Sequence, residues 1–152
     1  MNMIDVKAAD LSGSALDWAV AKANGFAVQV RPYAEFCNAS TGHKVKVRYH
    51  RVWYEFDGEL EEYSPSVDWA QCGPLIDMFH AYPNRYNDEC RGVEESGRFF
   101  VLTYSMKPSC GDEFDCVEGP TALIAACRAI VASKLGDTVQ VPAELVEVRG
   151  NE

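Results

Sequence analysis

The chain has 152 residues, of which 47% are hydrophobic, and its formal net charge is −9. This length predicts a single domain over residues 1–152, and the hydrophobic content excludes an intrinsically disordered chain. The negative charge argues against a general DNA- or RNA-binding protein, because neutralising phosphates requires a basic face. No apolar run reaches the length of a membrane span, and the N-terminus lacks a signal-peptide pattern, so we expect a cytoplasmic protein.

The first helix is predicted over residues of about 12–24. Ser12 can cap its start, and Asn24-Gly25 supplies a stop signal. Its apolar residues Leu16, Ala19, Val20 and Ala23 recur at helical spacing and predict a buried stripe. Trp18 lies at the edge of that stripe. Residues 26–31 then alternate as a short strand that Pro32 closes.

The central part of the chain predicts strands. Residues 43–56 are rich in β-branched and aromatic side chains, and the parity of the apolar positions switches near Tyr49 and His50. That switch predicts either a β-bulge or two strands with a kink between them. Asp57-Gly58 is a hairpin turn signal, which makes residues 59–63 the candidate return strand.

The second half predicts two further helices and two strands. A short helix is expected near residues 74–80, with Pro74 at its first position, and a long one over about 120–135, opened by Gly119-Pro120-Thr121. Residues 98–104 and 139–141 are strand candidates, whereas residues 107–118 are expected to form an acidic loop. The predicted class is α+β, with a small, mostly antiparallel sheet packed by the two main helices.

The six cysteines do not predict a metal or a cofactor. None belongs to a C-x-x-C pair, although Cys90, Cys110 and Cys116 could in principle converge with a histidine. Reduced thiols are the default in the absence of a signal peptide. Cys127 lies in the apolar pattern of the last helix, where a thiol acts as a small hydrophobic side chain.

Residues 63–74 and residues 119–128 concentrate polar and aromatic groups beside predicted helix starts. The two segments together predict a ligand-binding site. Helix N-termini attract anions, hydroxyls add donors, and aromatic rings can stack on a planar base. A structural reading of each residue stays open, with Trp69 as a core anchor and Asp68 as a turn cap. The candidate ligand-binding residues are Tyr63, Ser64, Ser66, Asp68, Trp69, Gln71, Gly73, Gly119, Thr121 and Arg128.

Three stretches of the chain resemble the NinX-like family of small tailed-phage proteins. They are residues 11–22, residues 63–76 and residues 119–137. The middle stretch reads Tyr63-Ser64-Pro65-Ser66, then Asp68-Trp69-Ala70-Gln71-Cys72-Gly73-Pro74. The resemblance implies a phage or prophage origin and an accessory role, without an established activity.

These observations lead to three functional hypotheses. The first is a non-enzymatic phage accessory protein that binds a small anionic, nucleotide-like ligand, in one version sequestering a nucleotide signal of host immunity. The alternatives are an acidic inhibitor that binds a host nucleic-acid enzyme, and an enzyme that degrades a nucleotide. The last is the weakest, because His43, His50 and His80 have no catalytic spacing and Asp68 would need Asp77 or Glu118 beside it. A homo-oligomer is compatible with a small domain that completes its pocket across an interface.

Overall fold

The computed structural model describes residues 2–32, 37–38, 43–44, 50–86, 98–102 and 116–146. It contains three α-helices in this part of the chain: α1 (Gly13–Ala23), α2 (Trp69–Phe79) and α3 (Ala122–Leu135). The strands, in chain order, are β1 (Met3–Lys7), β2 (Gln29–Pro32), β3 (Cys37–Asn38), β4 (His43–Lys44), β5 (His50–Phe56), β6 (Glu59–Glu62), β7 (Asn84–Arg85), β8 (Phe99–Leu102), β9 (Cys116–Gly119) and β10 (Thr138–Pro142).

The predicted α+β class is confirmed, and all the described strand pairs are antiparallel. They form four small sheets, with the strand orders β1-β10, β2-β5-β6, β3-β4 and β7-β8-β9. The hairpin between β5 and β6 turns at Asp57-Gly58, and both residues have positive φ angles, of 53° and 82°. This geometry is the one that the Asp-Gly signal predicts.

Helix α3 lies at the centre of the molecule because it packs against β8, β9, α1 and α2. The buried residues of α3 are Leu123, Ala125, Ala126, Cys127, Ala129, Ile130 and Val131. Small alanine side chains allow neighbouring elements to approach on more than one side of the helix. A helix that is apolar nearly all round belongs in a core, and α3 fills that position.

Helix α1 packs beside α3 and agrees closely with the prediction. Ser12 is its N-cap residue by backbone conformation, and Asn24 ends it. Leu16, Ala19 and Val20 are fully buried, whereas Trp18 and Ala23 lie at the edge of the stripe. Asp17 is also buried, which the stripe did not predict.

The structure differs from the sequence reading at both Gly-Pro pairs. Helix α2 begins at Trp69 rather than at Pro74, so Gly73 and Pro74 lie inside it. Pro74 removes the N–H that would bond to the carbonyl of Ala70, and Gly73 relieves the clash that a Cβ would make with the proline ring. In the other pair, Gly119 is the last residue of β9, and Thr121 is the N-cap of α3.

Four of the described strands were missed by the sequence reading: β1, β3, β7 and β9. β1 pairs with β10 from Met3↔Pro142 to Lys7↔Thr138, and β9 occupies the end of the expected acidic loop. β4 and β5 belong to different sheets, as expected if the parity switch separates two strands. Residues 45–49 and 103–115, on which parts of those predictions fall, lie outside the described residues.

Candidate functional site

Asp68 and Ser64 organise the loop that leads into α2. The Asp68 carboxylate accepts a hydrogen bond from the Ala70 amide at 2.9 Å and thereby caps the helix. The carbonyl of Ser64 accepts hydrogen bonds from the amides of Val67 and Asp68, both at 3.0 Å. The structural reading of Asp68 as a cap is therefore realised, and its negative charge lies at the helix start where an anion would otherwise bind.

Gln71 holds the preceding strand end against α2. Its side-chain oxygen accepts a hydrogen bond from the Ser64 amide at 2.6 Å, and its nitrogen donates to the Glu62 carbonyl at 2.9 Å. Both polar groups of the side chain are engaged with backbone. Reading a base edge with Gln71 would require breaking this clamp.

Tyr63 is part of an aromatic cluster rather than a stacking platform. Only 7% of it is exposed, and its ring lies 5.1 Å from that of Phe26 and 5.9 Å from that of Tyr54, measured between centroids. Burial, followed by nearby Cys127, raises the pKa of its phenol, and a hydrogen bond with Asn24 opposes that effect. Tyr63 thus stabilises the base of the β5–β6 hairpin.

Ser66 and Asp17 connect the same loop to α1 inside the core. The Ser66 amide donates to Asp17 Oδ1 at 2.9 Å, and Ser66 is only 2% exposed. Burial raises the pKa of Asp17 to about 7, although the Ser66 amide and hydroxyl lower it. The Ser66 hydroxyl has no hydrogen-bond partner of good geometry among the described residues. Asp17 is a buried acid that sequence reasoning missed, and its position within an apolar stripe was the available signal.

Trp69 does not occupy the core, because 59% of it is exposed. It lies on the solvent-facing side of α2, where Ala70, Pro74 and Asp77 form the middle, and Trp69 and Met78 form the two edges. Val67 before the helix and Tyr82 after it extend the same exposed segment, and their exposed fractions are 74% and 45%. We call these seven residues the α2 outer surface: Val67, Trp69, Ala70, Pro74, Asp77, Met78 and Tyr82.

The α2 outer surface carries a single ionisable carboxylate within the helix. Asp77 Oδ1 accepts a hydrogen bond from the Tyr82 hydroxyl at 3.0 Å, and that bond raises the pKa of Tyr82. Acids surround the start of the helix instead. The Tyr54 hydroxyl donates to Glu61 at 2.6 Å, and its pKa is raised first by that bond, then by burial and by the charges of Glu61 and Asp68. Sequence reasoning did not select Val67, Met78 or Tyr82, whose apolar character on an otherwise polar segment was the available signal.

The residues around the start of α3 also have structural partners. A Cβ on Gly119 would lie 2.6 Å from the Ala125 backbone nitrogen, so the glycine is needed for close packing of β9 on α3. The Thr121 hydroxyl accepts a hydrogen bond from the Ile124 amide at 3.1 Å. Arg128 donates to the carbonyls of Leu11 at 2.8 Å and Glu118 at 3.0 Å. It therefore links α3 to the segment before α1 and to β9.

The two predicted helix starts lie at the same end of the molecule. Cys72 Sγ is 3.7 Å from Cys127 Sγ, and seven residues later in each helix Lys134 Nζ lies 5.3 Å from the centroid of the Phe79 ring. The second contact lies seven residues after the first in both helices, so α2 and α3 run side by side in the same direction. The structure therefore brings the two candidate segments to a common end of the helix pair.

Asp68 and Asp77, two carboxylates that an acid/base pair could combine, lie far apart along α2. Asp68 and Asp77 are separated by roughly 13 Å of helix rise, and Glu118 is bound by the Tyr86 hydroxyl at 2.7 Å. No group of three histidine, cysteine or acidic side chains suited to a metal ion occurs among the described residues. Cys90 and Cys110, two of the possible metal ligands, lie outside them. No described helix combines the length and the apolar character needed to cross a bilayer.

The fold and the site describe a small α+β protein with a helix-borne candidate binding surface. A family model described as Bacteriophage P22, NinX matches residues 7–134. The chain therefore belongs to the NinX family of phage proteins. The matched range includes the stretches 11–22 and 63–76 and most of 119–137. A comparison with curated proteins finds no match.

Proposed function

We propose that this phage protein is an accessory protein that acts by binding a host protein through the α2 outer surface. The observation that carries the proposal is the composition of that surface. In a chain of net charge −9, the solvent-facing side of α2 presents Trp69, Pro74 and Met78 with one carboxylate. Large apolar side chains grouped on a surface are typical of protein interaction sites, and tryptophan is enriched among the residues that dominate binding energy.

The charges around the surface indicate the kind of partner. Asp68 and Glu61 lie at the start of α2, and Glu62 beside them forms an ion pair with Arg51 at 2.7 Å. A surface with Trp69 and Met78 at its edges, Asp77 between them and further acids at one end complements a surface that combines apolar pockets with lysine and arginine. The basic groove of a host nucleic-acid enzyme has this character, and occupying it would inhibit the enzyme.

The test is affinity purification of the tagged protein from infected cells, with quantitative mass spectrometry of the retained host proteins. We expect one basic host protein to be retained by the wild type and lost by the Trp69→Ala/Met78→Ala double variant. Met3→Ala, which shortens a partly exposed methionine on β1, is the matched control and should retain it. The purified pair should also dissociate as salt rises. Equal recovery by all three proteins would reject the α2 outer surface as the interface.

A second candidate function is binding of a small anionic, nucleotide-like ligand, with sequestration of a host immune nucleotide as its role. The common end of α2 and α3 and the exposed ring of Trp69 favour it, because a base can stack on the ring. Its weakness lies in the same residues: the Asp68 carboxylate occupies the start of α2, and Gln71 is engaged with backbone.

Thermal-shift measurements with cyclic and linear nucleotides separate the two candidates. Nucleotide binding predicts stabilisation of the wild type that Trp69→Ala reduces and Met3→Ala preserves. If no nucleotide stabilises the protein, the second candidate is rejected while the first is unaffected. Mass spectrometry of small molecules released by denaturing protein from infected cells would identify a natural ligand directly.

A further inference from the structure

Cys72 and Cys127 form a pair of thiols in the contact between α2 and α3. Both are fully buried, both are free, and their sulfur atoms lie 3.7 Å apart. A disulfide bond requires a sulfur–sulfur distance of roughly 2 Å, so the two atoms need to approach by less than 2 Å. Small rotations of two short side chains and a slight shift of α2 supply a movement of this size.

We propose that Cys72 and Cys127 are a redox-active dithiol that a small peroxide converts into a reversible disulfide between α2 and α3. The proposal does not depend on the partner that the protein binds. It concerns the helix that carries the α2 outer surface, and it assigns that helix two covalent states.

The surroundings determine which sulfur reacts first. A hydrogen bond from Cys127 lowers the pKa of the Cys72 thiol, against the effects of burial and of the nearby Asp17 charge. The same hydrogen bond, together with burial, raises the pKa of Cys127. Cys72 is therefore the thiol that ionises first, and the thiolate is the reactive nucleophile.

The reaction balances with hydrogen peroxide as the oxidant. The Cys72 thiolate attacks one peroxide oxygen, the O–O bond breaks, and a sulfenic acid and one water form after proton transfer. The sulfur of Cys127 then attacks the sulfenic sulfur, forming the S–S bond and releasing a second water. The two thiols lose two electrons and two protons in total, and the peroxide is reduced to two water molecules.

The route of access is an opening of α2. Pro74 removes one backbone hydrogen bond on the outer side of this helix. Ala70, Pro74 and Asp77 on that side are exposed to solvent. A small oxidant can enter when α2 moves, whereas a bulky disulfide reagent cannot reach the pair in the closed structure. Hydrogen peroxide should therefore react faster with this pair than oxidised glutathione does.

The experiment uses a full-length variant in which only this pair remains, with Cys37, Cys90, Cys110 and Cys116 changed to serine. After treatment of the reduced protein with hydrogen peroxide, peptide mapping without reductant should show a cross-linked peptide pair containing Cys72 and Cys127. The midpoint of thermal unfolding should rise on the order of 10 °C, because the bond closes a loop of more than fifty residues. Dithiothreitol should reverse both changes, and Cys127→Ala in the same background should show neither.

The proposal is overturned if the protein remains folded and both thiols are still alkylated on denaturation after peroxide treatment. Oxidation of Cys72 to a sulfinic acid without a cross-link would overturn it as well. If the serine variant does not fold, the same peptide map on the wild type decides the question, because it resolves this pair from the other four cysteines.

Discussion

At the scale of single residues, the polar groups selected from the sequence mostly serve the fold. Gln71 clamps the Glu62–Ser64 backbone, Thr121 caps α3, and Arg128 bonds to two carbonyls. Side chains with these functional groups suit ligands and backbone equally well, because both present the same donors and acceptors. The role of Arg128 could not be read from the sequence, since its backbone partners are set by the tertiary structure.

Asp17 should make stability depend on pH. Its pKa of about 7 in the folded protein lies above the ordinary aspartate value of 3.8, so the folded state binds more protons than the unfolded state between these values. Its contribution to the free energy of unfolding is full at low pH and is lost as pH rises through 7. Asp17→Asn keeps an acceptor for the Ser66 amide and cannot ionise. We expect the stability of the variant relative to the wild type to increase by about 2–4 kcal/mol from pH 4 to pH 8.

Urea unfolding of both proteins across this pH range measures the difference and cancels the contributions of the other carboxylates. A constant difference between Asn and Asp at all pH values would show that Asp17 titrates normally.

Gly119 should tolerate no larger side chain. The Cβ of Gly119→Ala would lie 2.6 Å from the backbone nitrogen of Ala125, which cannot move without displacing the first turn of α3. We expect a loss of about 2–3 kcal/mol in the free energy of unfolding. Gly73→Ala is the comparison variant, because outside its chain neighbours no atom lies within 4 Å of the added Cβ. That Cβ meets only the ring of Pro74, so Gly73→Ala should cost less stability than Gly119→Ala. Equal losses for the two variants in denaturant unfolding would contradict this account.

At the scale of elements, local signals predicted which segments form helices but not every boundary. The capping signals of α1 gave its start and end correctly, because Ser12 and Asn24 act within a few residues of the chain. In α2, proline was expected at the first helical position, where it is most favourable, yet the helix begins at Trp69. The packing of Cys72, Leu75 and Ile76 against the core stabilises a helix that Gly73-Pro74 alone would interrupt.

The C-terminal end of α2 should be a site of backbone strain. His80 ends the helix in the left-handed region with φ of 56°, where a side chain is disfavoured and glycine is not. We expect His80→Gly to raise the free energy of unfolding by roughly 0.5–1 kcal/mol relative to His80→Ala. Both variants lose the ring contact with Tyr82, so their comparison isolates the backbone effect. If His80→Ala is the more stable in thermal unfolding, the strain is absent.

At the scale of the whole molecule, long-range contacts decide what faces solvent. The Ser66–Asp17 bond spans 49 residues and the Arg128–Leu11 bond spans 117. The first bond ties the loop before α2 to α1 and buries Ser66, whereas Trp69 three residues later stays exposed. The second ties α3 to the segment before α1. No local pattern distinguishes the two aromatic residues Tyr63 and Trp69, because each lies in the same turn-rich segment.

Arg128 should be central to this arrangement. Arg128→Met keeps most of the side-chain length and removes every donor, so the carbonyls of Leu11 and Glu118 lose their partner. We expect a loss of about 2–4 kcal/mol in the free energy of unfolding, since each abandoned carbonyl costs roughly 1–2 kcal/mol. Arg128→Lys should recover part of it, because a single ammonium group cannot span two carbonyls as the guanidinium fork does. A Met variant as stable as the wild type in urea unfolding would refute this role.

The sequence by itself determined the α+β class, the three helical segments, the β5–β6 hairpin and the resemblance to a phage family. These features follow from hydrophobic periodicity, caps and turns, which depend on neighbours a few residues away. Only the tertiary structure decided that Tyr63 and Ser66 are buried, that α2 exposes Trp69 and Met78, and that Cys72 meets Cys127. Burial and side-chain partnership depend on residues far apart in the chain, and those distances are set only when the core assembles.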